Sequence, residues 1–287
     1  MDEPKHLQIT SEIYAETDFF SENLKDSSIS KFSFRYPNDA QTNDINKSRQ
    51  IDADGDLIIS RQRKGFIQIE HKKSTELPLV GLQVWRGALI LADFLFHNRK
   101  QFANKQILEL GSGVGLTSIA ASIHAERNII CTDIDLGGLL DLLKSNVQLN
   151  KQMINNNRIT VQVMELNFKN RNWSNELQMA VKTASLIIAA DVIYDNDITD
   201  EFIETLRQIL DPDTYNQHRD KEVYVALEKR YVFTLADLDT TAPCYEYFLQ
   251  RFNDMQSIYH WQLDQVPIDF PQYFDYLRSK EFVLMKL

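Results

Sequence analysis

A carboxylate and a phenol lie three residues apart in Asp191-Val192-Ile193-Tyr194, directly after an apolar run of strand length. A carboxylate can hold an ammonium group, and a tyrosine ring can offer it an electron-rich face and a hydroxyl. The pair could therefore capture and orient an amine. We do not expect Asp191 to act as an efficient base, because a negative charge favours the ammonium form. The alternative is that Asp191 only caps the turn after its strand.

A glycine-rich turn is the second chemical signal. Glu109-Leu110-Gly111-Ser112-Gly113-Val114-Gly115 follows an apolar run and precedes apolar residues at helical spacing. Strand, tight turn and helix in this order are typical of nucleotide binding, although close helix–strand packing can also demand glycine. The spacing differs from the dinucleotide pattern Gly-x-Gly-x-x-Gly, and the chain has no Gly-Lys-Ser/Thr phosphate loop. The predicted ligand is a nucleoside without a pyrophosphate, and S-adenosylmethionine fits.

Four further residues are placed to bind such a ligand. Asp133 ends the next buried strand, about 20 residues past the turn, where an acid can accept hydrogen bonds from ribose hydroxyls. Its rival Asp135 lies past the strand end. Phe168 can stack on adenine or belong to the core, and Asn167 can bond the polar edge of the base. Trp85 is either core packing or a wall of the cofactor site.

Strands and helices must bring these residues together at one edge of a sheet. Apolar runs predict strands at 107–110, 128–133, 159–166, 184–191 and 222–228, alternating with helical patterns, and residues 261–266 and 281–287 remain for a closing antiparallel pair. The predicted fold class is α/β, with a seven-stranded, mostly parallel sheet and helices on both faces. Two helix starts are also predicted, at Asn196 or Asp197 and at Thr240 or Thr241. Ligands bind at the carboxyl ends of parallel strands, where these residues fall: Gly111, Asp133, Phe168, Asp191 and Glu228.

Residues 1–78 differ in residue pattern and are predicted to form a β-rich extension, with the main α/β domain over 79–287. His6–Ile13 and 31–36 alternate apolar and polar residues, as half-buried strands do. The polar stretch 37–56 predicts a flexible loop. A hairpin is predicted between 57–59 and 66–69, around the basic residues 61–65, which are either a solvated turn or a nuclear-import patch.

The composition limits the functional classes. A net charge of −10 over 287 residues argues against phosphate-driven nucleic-acid binding and suits a basic partner. No apolar run reaches the roughly 18 residues of a membrane helix, and the first residues do not read as a signal peptide. Cys131 and Cys244 form no CxxC pair, so the sequence indicates neither a metal site nor a disulfide framework, and a reducing compartment is expected.

Taken in order, the motifs resemble the seven-strand (class I) protein-lysine methyltransferase family over roughly residues 80–287. The resemblance is carried by Val84-Trp85-Arg86, the glycine turn, Cys131-Thr132-Asp133, 190–194 and Glu228-Lys229-Arg230. Methyltransferases acting on base amines carry Asn/Asp-Pro-Pro-Tyr/Phe after this strand, whereas the chain has no Pro-Pro. The family commonly has Leu-Asp-Trp where this chain has Leu166-Asn167-Phe168, so the adenine contacts are the least secure part of the comparison.

The resemblance implies an S-adenosylmethionine-dependent enzyme that methylates a lysine of a protein substrate, in a basic context. It also implies a nuclear location, with cytoplasm left open; a monomer without direct nucleic-acid or membrane binding is our default expectation. Asp191 and Tyr194 would face the substrate amine. The residues expected to contact the cofactor are Trp85, Glu109, Gly111, Ser112, Gly113, Gly115, Asp133, Asn167, Phe168 and Ala190. The competing functions are methylation of RNA or a small molecule, and a non-catalytic interaction module.

Overall fold

The computed structural model describes residues 8–16, 20–38, 63–154, 158–211, 221–234 and 239–287. Its strands are β1 Phe20–Asn23, β2 Ser28–Arg35, β3 Lys64–His71, β4 Ile107–Leu110, β5 Ile129–Asp133, β6 Val161–Glu165, β7 Leu186–Ala190, β8 Glu222–Glu228, β9 Val232–Thr234, β10 Asp239–Thr241, β11 Asp264–Gln265 and β12 Phe282–Lys286. Its α-helices are α1 Arg86–His97, α2 Arg99–Phe102, α3 Leu116–Ser122, α4 Leu139–Leu149, α5 Asn175–Thr183, α6 Asn196–Leu210 and α7 Pro243–Tyr259. Two short 3-10 helices cover Glu12–Ala15 and Leu77–Leu82.

The central sheet has seven strands in the order β11-β12-β8-β7-β4-β5-β6. Strands β4 to β8 are parallel, and β12 and β11 close the sheet in antiparallel fashion. This confirms the predicted α/β fold and its closing pair. The strand order reverses between β4 and β7, and a crevice forms outside the carboxyl ends of parallel strands at such a switch point.

The sheet is covered on both faces, because its central strands are apolar on both sides. Ile107 and Ile129 pack into a core with α1, α3 and α4. Leu108 and Ile187, which point the other way, pack into a second core with α5, α6 and α7. Alternate residues of each strand thus serve opposite cores, and the strand ends are left to the ligand site.

The N-terminal extension contains a three-stranded antiparallel sheet, β1-β2-β3. Its edge strand β3 is bound by two asparagines of α4, which lie four residues apart and therefore share one helix face. Asn146 accepts from Glu70 N at 2.8 Å and donates to Glu70 O at 2.9 Å. Asn150 accepts from Gln68 N and donates to Gln68 O in the same way. These amides continue the strand's hydrogen bonding, so they fasten the extension to the helix that follows β5.

Replacing Asn146 by Ala is expected to lower the free energy of unfolding by roughly 2–3 kcal/mol, because Glu70 N, Glu70 O and Val114 O all lose this partner. Urea denaturation measures the loss. Gln148→Ala is the matched control, since Gln148 is exposed on the same helix. A similar loss in both variants would show that the asparagine does not fasten the extension.

The stretch Leu77–His97 has the length and apolar composition of a membrane span, contrary to the expectation that no such run exists. The structure shows a core element instead. Its backbone is extended at Gln83 and Trp85, so the helix is not continuous, and most of the stretch is buried. Asp93, fully buried in α1, accepts hydrogen bonds from Tyr273 N, Tyr276 Oη and Arg278, which anchors the chain before β12.

Two local predictions are wrong. The strand predicted over 6–13 is, over its described part, one bridge at Ile9 followed by the 3-10 helix Glu12–Ala15. The side chain of Gln83 binds Ile9 O and Ser11 N, and so replaces a strand partner. Neither Thr240 nor Thr241 starts a helix; both lie in β10, which pairs with β9. Helix α7 begins at Pro243 instead, where proline's fixed φ suits the first helical position.

Other predictions have different outcomes. The strand predicted over 31–36 is confirmed as part of β2. The helix predicted to start at Asn196 or Asp197 is also confirmed: α6 begins at Asn196, behind the cap Asp195, whose carboxylate accepts from Ile198 N. The segment 57–59, most of the loop 37–56 and residues 61–62 of the basic turn lie outside the described residues.

Candidate active site

A cavity of about 330 Å³ opens at the carboxyl ends of β4, β5 and β7, within the size range of small-ligand sites. Most of the residues predicted from sequence line it. They are Trp85, Glu109, Gly111, Ser112, Gly113, Asp133, Asn167, Phe168, Ala190, Asp191 and Tyr194. The predicted Gly115 lies outside this lining. It has a φ of 93° at the start of α3, and a side chain there would collide with Leu143 Cδ1, so packing alone accounts for this glycine.

The glycine turn is clamped from two sides. Gly113 has a φ of 53°, a left-handed conformation that favours glycine, and its N–H donates to Asp133 Oδ2 at 2.7 Å. A Cβ at Gly113 would lie 3.1 Å from Gly81 O, in the 3-10 helix that forms the opposite wall. Ser112 joins the turn to β5, because its Oγ accepts from Thr132 N. The turn is thus held in place by protein contacts.

Asp133 ends β5 with its carboxylate at the cavity. Its Oδ2 accepts from Gly113 N and its Oδ1 from Ile134 N at 2.7 Å, and each oxygen keeps a second lone pair for a ligand. Burial raises the pKa of Asp133 to about 6, so the group is mainly ionised at neutral pH. Asp135 is exposed and is not among the lining residues. The geometry favours Asp133 as the acceptor for ribose hydroxyls.

Glu109 lies beneath the turn, almost wholly buried, and accepts a hydrogen bond from Ser118 Oγ of α3. Burial raises the pKa of Glu109 to about 7, although hydrogen bonds from Ser118, Thr117 and Ser112 oppose the rise. The carboxyl therefore exchanges a proton near neutral pH. Its position beside the turn suits either a polar ligand group or the internal hydroxyls it already binds.

The free energy of unfolding is expected to fall as pH rises from about 4.5 to 7, because folded Glu109 holds a proton that the unfolded chain has lost. In Glu109→Gln, the fall in the free energy of unfolding should be smaller by about 3 kcal/mol than in the wild-type chain. Urea denaturation of the cofactor-free chain at pH 5 and pH 8 measures it. Exposed Glu126→Gln is the control and should keep the full fall. An unchanged fall in Glu109→Gln would show that Glu109 is ionised in the folded chain.

The far end of the cavity is aromatic and apolar. Phe168 lines it and also packs on Phe202 at 5.5 Å between ring centroids, so its position is compatible with both the ligand and the core interpretation. Asn167 Oδ1 accepts from Lys169 N, which leaves its Nδ2 to donate. Sequence reasoning missed one wall of the cavity, which is the 3-10 helix Leu77–Leu82. Its apolar side chains and Pro78 were the available signal.

The donor set fits S-adenosylmethionine. An ionised carboxylate suits two ribose hydroxyls, an aromatic and apolar end suits adenine, and a glycine turn lets backbone approach the amino-acid part. Within the ranges that the structure describes, no group of three or more His, Cys, Asp or Glu side chains is arranged to hold a metal ion.

Asp191 lies at the other side of the cavity with a φ of 52°. Its Oδ2 accepts from Gly87 N at 2.6 Å and its Oδ1 from Glu228 N at 3.1 Å. It thus ties α1 to the ends of β7 and β8, and a Cβ at Gly87 would lie 2.5 Å from its Oδ2. Asp191 therefore does cap the strand end, yet each oxygen keeps a lone pair at the cavity. Burial raises its pKa, and the charge of Arg230 opposes the rise.

Three further side chains line the cavity together with Asp191. Tyr194 is half-buried, and burial raises its pKa to about 12, so its hydroxyl stays neutral. Trp85 is fixed by a 2.9 Å hydrogen bond from Nε1 to Val80 O. Arg230 lines the cavity with its guanidinium 4.3 Å from the centre of the Trp85 ring, and sequence reasoning did not assign it a role. The only signal was its place just past the end of β8.

A sequence profile described as lysine methyltransferase matches residues 64–240, which is more than half of the chain. The chain belongs to the lysine methyltransferase family. It is 33% identical to methyltransferase-like protein 22 of Mus musculus over 77% of this chain and 59% of that protein. It is 34% identical to methyltransferase-like protein 22 of Homo sapiens over 81% and 61%. Protein-lysine N-methyltransferase EEF2KMT of Mus musculus is 30% identical over 72% and 58%.

The chain thus spans about three fifths of the length of these curated relatives. S-adenosylmethionine is the cofactor that the family match implies, and the donor set of the cavity fits it.

Proposed function

We propose that this chain is an S-adenosylmethionine-dependent protein-lysine N-methyltransferase. The observation that carries the proposal is the position of Asp191, whose carboxylate is fixed by two backbone N–H groups and which lines the same cavity as Tyr194. A fixed anion and a neutral phenol in one cavity suit an amine-bearing substrate. The name of a relative, protein-lysine N-methyltransferase, supports the same substrate class.

The bound cofactor supplies a methyl group carried by a positively charged sulfur. Asp191 binds and aligns the lysine amine, which is the main requirement of an in-line displacement. The amine must be neutral to react, although its reference pKa is about 10.4. Its lone pair forms the new N–C bond, the C–S electron pair stays with sulfur, and the amine proton leaves to solvent. Tyr194 offers a neutral hydroxyl and a ring face to the same amine.

The proposal includes a basic sequence around the target lysine. Burial raises the pKa values of both Asp191 and Glu228, and the charge of Glu12, in the N-terminal 3-10 helix, adds to the rise, so acids gather around this side of the cavity. The chain's net charge of −10 acts in the same direction. The proposal also includes a nuclear location, which rests on the resemblance to the family. It includes a monomeric state as the default expectation.

Partition of label among substrate classes tests the proposal. The purified chain is incubated with methyl-labelled S-adenosylmethionine and a cell extract, which is then separated into protein, nucleic acid and small molecules. We expect the label in protein, and heat-inactivated chain is the control. Label in RNA or in a small metabolite would replace the proposed substrate class with another.

A further inference from the structure

Arg230 brings a positive charge to the cavity that holds Asp191. Its guanidinium lies over the Trp85 ring at 4.3 Å, and it lines the same cavity as Asp191 and Tyr194. Across the described parts of the chain, it is matched to no acid within ion-pair distance. An aromatic face therefore fixes this cation, and its charge is left to act on whatever occupies the cavity.

The neighbouring cations differ from Arg230. Arg86 is ion-paired to Glu228 at 2.7 Å and to Glu16, so its charge is compensated. Lys229 lies over the Tyr245 ring at 4.8 Å and is not among the residues that line the cavity. Arg230 is the cation that faces Asp191 in the described structure.

The charged groups around this position come from every element nearby. The acids that act on Asp191 and Glu228 include Glu12 from the N-terminal 3-10 helix. Asp133 and Asp195 act on Tyr194, whose hydroxyl is neutral. Burial raises the pKa of Cys244 on α7, and the charge of Arg230 opposes the rise. Among the described residues that line the cavity, Arg230 is the only cation, so it is the lining group that opposes the negative field.

The positive charge of Arg230 affects an amine held by Asp191. The carboxylate favours the unreactive ammonium form, whereas a second positive charge nearby disfavours it. We infer that Arg230 is a positioning residue that lowers the pKa of the lysine amine bound at Asp191, so that a larger fraction is neutral at a given pH. This inference rests on the proposed function and assigns the role of the cation facing the acid.

The test uses n-butylamine, labelled with 13C at the carbon that bears nitrogen, as a probe for the lysine side chain. The full chain is saturated with S-adenosylhomocysteine, and the carbon shift of the bound probe is followed against pH by NMR. The pKa of the bound amine is expected to be about one unit higher in Arg230→Gln than in the wild-type chain. Arg230→Lys should restore the wild-type value, and Lys229→Gln should not change it. The shift should shrink at high salt, because Arg230 is exposed.

The kinetic readout is the pH dependence of kcat/KM for the labelled protein substrate, whose rising limb should move about one unit to alkaline pH in Arg230→Gln. A bound probe with equal pKa values in both chains would overturn the role of Arg230 and leave the proposed function standing. A probe that does not bind, or whose binding is not weakened in Asp191→Asn, would contradict the proposed function and the inference together.

Discussion

Replacing Asp191 by Asn is expected to reduce methyl transfer to protein by about 100-fold or more, while affinity for S-adenosylmethionine stays within a few-fold of wild type. The substitution keeps the shape of the side chain and removes the charge that orients the substrate amine. Asn also tolerates the φ of 52° at this position. Turnover at saturating cofactor and calorimetric cofactor binding measure the two effects separately.

Some loss of stability accompanies this variant and must be measured. One end of the new amide would present N–H groups to Gly87 N or Glu228 N, which are donors themselves, and this mismatch costs roughly 1–3 kcal/mol. Asp195→Asn is the matched control, because Asp195 caps α6 beside the cavity and Asn caps helices equally well. Its methylation should remain within a few-fold of normal. Near-normal methylation by folded Asp191→Asn would remove Asp191 from the substrate site.

Replacing Asp133 by Ala is expected to weaken S-adenosylmethionine binding by about 100-fold or more. Two hydrogen bonds to an ionised group are lost, at roughly 1.5–3 kcal/mol each. The Gly113 N–H loses its acceptor as well, so the glycine turn is no longer clamped from that side. Calorimetry measures the affinity, and turnover at saturating cofactor should change much less.

Asp135→Ala is the control for this prediction, since Asp135 lies two residues further along the chain and is exposed. It should bind the cofactor as the wild-type chain does. A larger loss in Asp135→Ala than in Asp133→Ala would mean that the ribose acid has been assigned to the wrong carboxylate.

The main sheet and much of the candidate site could be predicted from the sequence, because both depend on local patterns. Central strands such as β4 and β7 are continuous apolar runs, and parallel strands place their carboxyl ends at one edge. Asp133 ends β5 and Asp191 directly follows β7, so their convergence on one cavity follows from topology. The glycine turn was visible for the same reason, since strand, turn and helix are consecutive in the chain.

Contacts between residues that are far apart in the chain could not be predicted from sequence patterns. Gly87 and Asp191 are 104 residues apart, yet the glycine is required because the carboxylate lies against its N–H. The Arg230–Trp85 stack and the Gln83 side chain bound to the N-terminal backbone are of the same kind. Gly115 is the opposite case, because this glycine of the binding motif lies outside the cavity lining and a side chain there would collide with Leu143.

The chemical identity of the methylated residue tests the central claim most directly. Proteins labelled by the wild-type chain are digested, and tandem mass spectrometry locates the transferred methyl group, with Asp191→Asn processed in parallel. We expect Nε-methyllysine in the wild-type reaction and its near absence with Asp191→Asn. A methyl group found on arginine, or on RNA in place of protein, would contradict the proposed lysine methylation.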